Sequence, residues 1–201
     1  MARSGLRLIR HSGAAIGAVI DELAQLRVRT FREWPYLYEG DEAYERAYLA
    51  KYATARGAVV VTASDMASGE IVGASTALPL LAAEAELRTP FIEHGLDPAH
   101  WYYFGESMLD AAWRGRGIGV AFFEEREAEA ARLGFNCTAF CAVVRPGDHP
   151  ARPDGYVPLD GFWAKRGYVR RPELRALLAW RDVGEIEETD KPMLFWTKEA
   201  H

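Results

Sequence analysis

Met108-Leu109-Asp110-Ala111-Ala112-Trp113-Arg114-Gly115-Arg116-Gly117-Ile118-Gly119 joins an aromatic, β-prone run to a helical pattern. Glycines at 115, 117 and 119 let the backbone turn tightly and bring its N–H groups close to a ligand. Those groups open a helix, where the first four N–H donors lack intrahelical partners and the helix dipole is positive. Such a turn is a site for phosphate. Arg114 and Arg116 add charge that suits phosphate oxygens. Two nucleotide motifs fail on spacing. A P-loop ends in Gly-Lys-Ser/Thr, whereas this turn continues Gly119-Val120-Ala121. A dinucleotide fingerprint needs glycine at its sixth position, where counting from Gly115 gives Val120. Asn136 and Cys137 stand where its acidic residue is expected.

Working outward, Trp101 to Leu109 before the turn carries four aromatics and reads as a strand. Ile118 to Leu133 after it reads as a helix stopped by Gly134. Asn136 to Val144 is another strand, followed by a proline-rich loop from Arg145 to Pro158 and a short helix from Leu159 to Arg166. Upstream, Leu6 to Arg10 is a strand and Ala14 to Arg32 a helix, with Ile16, Ile20, Leu23, Leu26 and Phe31 at helical spacing. Trp34-Pro35 breaks it, and Asp41 caps a second helix reaching Arg56. Ala58 to Ala63 and Glu70 to Leu78 form a hairpin about the turn Asp65–Gly69. Leu80 to His100 holds at most one short helix among Pro90, Gly95 and Pro98. Pro172 to Trp180 is ambiguous, and Met193 to Lys198 is a final strand. Hairpins and βα units together predict an α/β chain with a mixed sheet.

The chain has 201 residues, 49% apolar and 26% charged, which predicts one globular domain, 1–201. No apolar run reaches the roughly 18 residues of a membrane span, and the start Met1-Ala2-Arg3-Ser4-Gly5 shows no secretory signal. A net charge of −5 argues against bulk nucleic-acid binding and suits a cytoplasmic protein. Cys137 and Cys141, four apart on one strand, lie about 13 Å apart by strand rise, too far for a disulfide. They read as core thiols. His11, His94, His100, His149 and His201 form no metal-binding pattern. Ser107 lacks the second glycine of a nucleophile elbow, since Leu109 stands there. The acidic run Glu185 to Asp190 reads as a solvated loop.

The pattern Arg114-x-x-Gly117-x-Gly119 resembles the coenzyme A turn of the GNAT superfamily of acyl-CoA N-acyltransferases. Phe162-Trp163-Ala164-Lys165-Arg166-Gly167-Tyr168 resembles that family's second landmark, Phe-Tyr-x-Lys-x-Gly-Phe. The order of elements is also similar. The resemblance implies a mostly antiparallel central sheet with a splayed strand pair and helices on both faces. It implies an acetyltransferase that moves acetyl from acetyl-CoA to a primary amine by direct attack, without a metal. Met108 and Leu109 would offer backbone groups to the pantetheine and the oxyanion, and Arg114, Gly115, Arg116, Gly117, Ile118 and Gly119 would hold the pyrophosphate. Trp163 would lie beside the coenzyme arm. It occupies the position of the family's acidic Tyr and has no ionisable group, which leaves Tyr156, Tyr168 or no enzymic acid at all.

Glu106 is the candidate base, because an alkyl ammonium must lose a proton before it attacks. Strand alternation sets it opposite to Leu109, and a bulge would change that parity. Asp110 reads as a loop cap. Trp34, Tyr36, Tyr38 and Tyr156 either line the acceptor pocket or plug the core. The loop from Arg145 to Tyr156 is either a binding loop or a stiff connection. A small-molecule amine is the expected acceptor, with no nucleic-acid or membrane partner, and a homodimer stays open. A non-catalytic acyl-CoA sensor and a protein-amine acetyltransferase are the alternatives, and the acyl group, acetyl or longer, is not fixed.

Overall fold

The elements of this computed structural model, which describes residues 2–3 and 5–199, run in chain order as follows. β1 (Ala2–Arg3) and β2 (Leu6–Ser12) precede α1 (Ile20–Phe31) and α2 (Glu42–Thr54). The hairpin β3 (Val59–Asp65) and β4 (Ile71–Pro79) leads to α3 (Ala85–Glu93) and β5 (Trp101–Leu109). Then come α4 (Ile118–Arg132), β6 (Cys137–Val143), α5 (Asp160–Ala164), β7 (Val169–Trp180) and β8 (Thr189–Glu199). Met1, Ser4 and His201, used above, lie outside the described residues.

One sheet takes the order β1-β2-β3-β4-β5-β6-β8-β7. Each neighbouring pair is antiparallel except β5 and β6. Alternation along β5 decides the layering. Trp101 and Tyr103 enter one core with Leu23 and Leu26 of α1, Leu49 of α2 and Phe91 of α3. Tyr102 and Phe104 enter the other core with Phe122 and Phe123 of α4. Helices therefore cover both faces. Phe91, Phe104 and Phe122 are fully buried, and each such side chain contributes roughly 1.5–3 kcal/mol.

One segment differs from the sequence reading, and two that it left open take a definite form. The segment before α1 is a 3-10 helix, Gly13–Val19; Gly13 and Gly17 weaken an α-helix there, and Ile16 still reaches the core. α3 forms despite Pro90 inside it. Pro172 to Trp180 belongs to β7, which tolerates a proline because it is an edge strand with a register shift between Arg171 and Arg175. Asp41 does cap α2, accepting from the Tyr44 N–H at 2.9 Å.

Candidate functional site

β5 and β6 pair over three residues only, Trp101 to Tyr103 against Cys137 to Ala139. Beyond that register they part. β5 stays with β4 through Ser107, Met108 and Leu109, while β6 stays with β8 through Cys141 and Val143. Their facing edges bound a wedge-shaped cleft in the middle of the sheet.

The glycine turn closes one end of this cleft. A single 3-10 turn, Ala111–Trp113, leads into it. Gly115 has φ 75° and Gly117 φ 80°, left-handed values that an L side chain resists. Gly117 is the N-cap residue of α4, and no side chain caps that helix. A helix start without a side-chain cap is a common place for an anion to bind. Arg116 stands over the Trp113 ring at 4.5 Å and gives one N–H to the Ala112 carbonyl. Arg114 instead pairs with Glu33 at 2.6 Å and donates to the Leu109 carbonyl, tying the turn to the loop after α1. Ile118 is buried and anchors α4. A Cβ on Gly119 would stand 3.3 Å from the Phe162 ring, so α5 packs against this corner. The cradle fits a pyrophosphate: left-handed glycines, an uncapped helix start and an adjacent guanidinium.

Trp163 turns toward the sheet, with ring contacts to Phe140 at 5.1 Å and Trp196 at 5.2 Å. Tyr168 is buried on the same face, its hydroxyl 3.0 Å from both Thr138 and Glu127. Burial first, then Glu127, pushes its phenol well up. Met108 is buried and half-buried Leu109 points to the other face; what they bring to the cleft edge is backbone. Asp110 corrects the reading as a cap. Its side chain makes no cap bond and takes two bonds from Arg29 of α1, at 2.9 and 3.1 Å.

Glu106 lies at the mouth of the splay, on a bulge. Ser75 pairs with Ser107 but Ala77 with Phe104, so β5 carries one extra residue at Gly105–Glu106. Pairing is regular from Ser107 to Leu109, so Glu106 and Leu109 remain on opposite faces as alternation predicts. What changes is its relation to Tyr102 and Phe104. Without the bulge Glu106 would join them in the α4 core; with it, Glu106 faces α1 and α2. There it accepts from Arg27, from the Tyr48 hydroxyl at 2.9 Å and from Thr76. Gly105 is needed at this point, because a Cβ there would lie 2.5 Å from the hydroxyls of Thr76 and Tyr52.

The network around Glu106 was not named from sequence. Arg27 is shared by Glu45 and Glu106 and lies 4.5 Å over the Tyr48 ring. Burial alone would lower its pKa, but Glu106, Tyr48 and Glu45 outweigh it and hold the guanidinium charged. Burial, followed by the charge of Glu106, raises the phenols of Tyr48 and Tyr52, which stay protonated. From the opposite face, buried Arg126 of α4 donates to the carbonyls of Glu106 at 3.1 Å and Thr76 at 3.4 Å, and to the Ser107 hydroxyl at 2.8 Å. These satisfy carbonyls on either side of the interrupted ladder. Burial lowers the Arg126 pKa to about 10, so it remains a cation at neutral pH. Cys141 touches the Tyr103 hydroxyl at 3.1 Å, and burial pushes its thiol up to about 12, unlike a nucleophile.

One guanidinium joins the loop after α1 to the loop that follows β6. Arg145 donates to the carbonyls of Pro35 at 2.9 Å and Tyr36 at 2.6 Å, and clasps buried Asp182 with two bonds at 2.6 and 2.8 Å. Trp34 thereby meets His149 at 5.1 Å and Tyr156 at 5.9 Å between ring centroids. Tyr36 packs on Phe31 and Trp180. Burial raises its phenol first, and then Cys141 and Glu106 raise it further. Tyr38 pairs its backbone with Asp182. Among the described residues no group of three or more His, Cys, Asp or Glu could hold a metal ion.

No protein-family model matches the chain, and no curated protein matches it by sequence. Solved structures do resemble it. A GCN5-related N-acetyltransferase from Kribbella flavida has a TM-score of 0.58 at 17% identity, over 97% of this chain and 98% of that one. An arylalkylamine N-acetyltransferase-like protein of mosquito has a TM-score of 0.58 at 15% identity, over 96% and 100%. A candidate acetyltransferase from Salmonella typhimurium, solved with its cofactor acetyl-CoA, has a TM-score of 0.56 at 12% identity, over 98% and 95%. The chain has the fold of the GNAT acyl-CoA N-acyltransferases.

Proposed function

We propose that this chain, with its GNAT acyltransferase fold, is an acetyl-CoA-dependent N-acetyltransferase that acts on a small primary amine. The observation that carries the reading is the bulge at Gly105–Glu106. It sets a carboxylate on the aromatic-lined face of a splayed strand pair whose other end is a phosphate-binding turn. Acetyl-CoA supplies the activated acetyl group. The turn from Arg114 to Gly119 would hold its pyrophosphate, and the cleft edge at Ser107 to Leu109 would order its arm. Trp34, Tyr36 and Tyr156 would bound the acceptor.

At neutral pH an alkyl amine arrives as an ammonium. Glu106, directly or through water, would take the proton that frees the lone pair. The nitrogen then bonds to the acetyl carbon as the carbon–sulfur bond breaks. The products are the amide, the coenzyme thiol and one proton. Trp163, at the landmark's acidic position, packs on Phe140 and Trp196 and has no hydroxyl to protonate the thiolate. A thiolate with pKa near 8.5 can leave unaided.

That vacancy is also what favours the second reading, an acyl-CoA sensor of the same fold. No helix of the described residues is long and apolar enough to cross a membrane. A screen of amines with acetyl-CoA, read by thiol release, separates the two. Release that depends on an added amine supports the enzyme. Tight acetyl-CoA binding with no amine-dependent release from any acceptor would leave the sensor.

A further inference from the structure

We propose that Arg126 is a positioning residue of the transfer reaction. From the α4 face it fixes the bulge that carries Glu106 relative to the helix whose first turn would receive the coenzyme. The inference rests on the N-acetyltransferase reading and adds to it a residue that touches no ligand.

Arg126 lies in α4, eight residues after Ile118, or about 12 Å along the helix axis. Phe122, four residues before it, and Ala130, four after, are buried apolar side chains of one stripe. An apolar residue at 126 would continue that stripe. The arginine there is instead only 1% exposed, and a buried guanidinium is costly unless its N–H groups find acceptors. Nε donates to the Phe122 carbonyl of its own helix at 3.0 Å, which holds the side chain against α4. Nη1 is shared between the carbonyls of Glu106 at 3.1 Å and Thr76 at 3.4 Å. Nη2 donates to the Ser107 hydroxyl at 2.8 Å. The guanidinium carbon lies 4.4 Å from the Phe104 ring centroid and 5.0 Å from that of Phe123, so one ring from β5 and one from α4 confine it. All four acceptors are uncharged. What these bonds secure is the placement of main chain.

The contacts bracket the bulge. Its flanking pairs are Ser75 with Ser107 and Ala77 with Phe104, which leaves Thr76 on β4 opposite Gly105 and Glu106 on β5. Nη1 therefore ties both strands together where the regular ladder is broken. On the other face, Arg27 of α1, Tyr48 of α2 and Thr76 hold the Glu106 carboxylate. Glu106 is gripped at both ends, its carbonyl from α4 and its carboxylate from α1, α2 and β4. The α4 grip runs through the helix that opens at the glycine turn, so Arg126 is a side-chain link between the cradle and the base. A shift of about 1 Å in a reacting group can cost on the order of 10²-fold in rate.

The test is a double-mutant cycle on amine-dependent thiol release from acetyl-CoA. It uses the parent, Arg126→Met, Glu106→Gln and the double variant, each checked for cooperative unfolding. Methionine keeps an unbranched stem and removes the donors. Arg126→Met should lower kcat by about 10–100-fold, with the KM for acetyl-CoA changed by less than about threefold. It should cost little further when residue 106 is already Gln, because both changes disable the same base. Arg126→Lys keeps a cationic donor and should restore part of kcat; it carries the same cycle if the methionine variant does not unfold cooperatively. A second readout needs no turnover. The Glu106 N–H donates to the Thr76 hydroxyl at 3.0 Å. Its hydrogen exchange should be at least about tenfold faster in Arg126→Met, with Trp101 to Tyr103 unchanged. Losses that multiply in full across the cycle, an unchanged kcat, or exchange that rises alike along all of β5 would overturn the inference and leave Arg126 a core residue. A Glu106→Gln protein as active as its parent overturns the role of Glu106 and this inference with it. A parent that binds acetyl-CoA but releases no thiol with any amine would instead overturn the function on which the inference rests.

Discussion

Gly105→Ala tests whether the bulge places the carboxylate. The added Cβ would lie 2.5 Å from the hydroxyl oxygens of Thr76 and Tyr52, whereas ordinary contact begins at 3.4 Å, so one side must yield by about 0.9 Å. Neither hydroxyl is a loose end. Thr76 accepts from the Glu106 N–H at 3.0 Å and donates to its carboxylate, and Tyr52 lies 3.3 Å from Thr76. Relief therefore costs either packing or the bonds that hold Glu106. Overpacking of this kind destabilises by about 1–3 kcal/mol, and misplacing a general base should lower turnover by about 10²–10⁴-fold. Urea unfolding would read the first effect and amine-dependent thiol release the second. Gly17→Ala is the control, because its Cβ would meet nothing within 4 Å. A Gly105→Ala protein as stable and as active as its parent would refute the argument.

Other expectations follow from the same contacts. Glu106→Gln should lower turnover about 10²–10⁴-fold near neutral pH, with acetyl-CoA affinity nearly unchanged; the loss should shrink at high pH, where free amine is already present, and an equal loss at all pH values would indicate a binding or folding role. Trp163→Phe should keep most activity, since the ring is packed on Phe140 and Trp196. Trp163→Ala should cost about 2 kcal/mol in urea unfolding, below the roughly 3–5 kcal/mol of a fully buried ring because Trp163 is half-buried. Burial would raise the Asp182 carboxyl, but Arg145 and Lys191 outweigh it and hold it below the ordinary range. A lowered native value means that the contribution is complete above the unfolded value of about 3.9 and is lost as pH falls through the native one. The unfolding midpoint of the parent should drop below about pH 4, and that of Asp182→Asn should drop less over the same window.

The glycine turn and the strand before it were legible because both depend on local rules. Alternate glycines force a turn, and β5 has the bounds that its aromatics predict, Trp101–Leu109. The face taken by Glu106 was not legible, because an extra residue in a strand resets a period of two and shows itself only against the partner β4. Gly105 was the one local hint. α3 was obscured by Pro90, which propensity rules treat as a break. The network around Glu106 did leave a trace. Arg27 lies four residues from Leu23 and from Phe31, Glu45 four from Leu49, and Arg126 four from Phe122 and from Ala130, so each charge interrupts an apolar helix stripe. A charge at such a position is buried and must find partners. The meeting of Trp34 with His149 and Tyr156 depends on Arg145 bridging segments about a hundred residues apart, and no local pattern encodes that.

The central claim is that acetyl-CoA occupies the splay with its pyrophosphate on the turn from Arg114 to Gly119. Calorimetric titration of acetyl-CoA into the parent and into Gly119→Trp tests it most directly. A Cβ at residue 119 would stand 3.3 Å from the Phe162 ring, so an indole there would crowd the start of α4 and the cradle beside it. Saturable one-to-one binding by the parent, abolished in a Gly119→Trp protein that still unfolds cooperatively, is the predicted result. A parent that does not bind acetyl-CoA, or a Gly119→Trp protein that binds it equally well, would contradict the account.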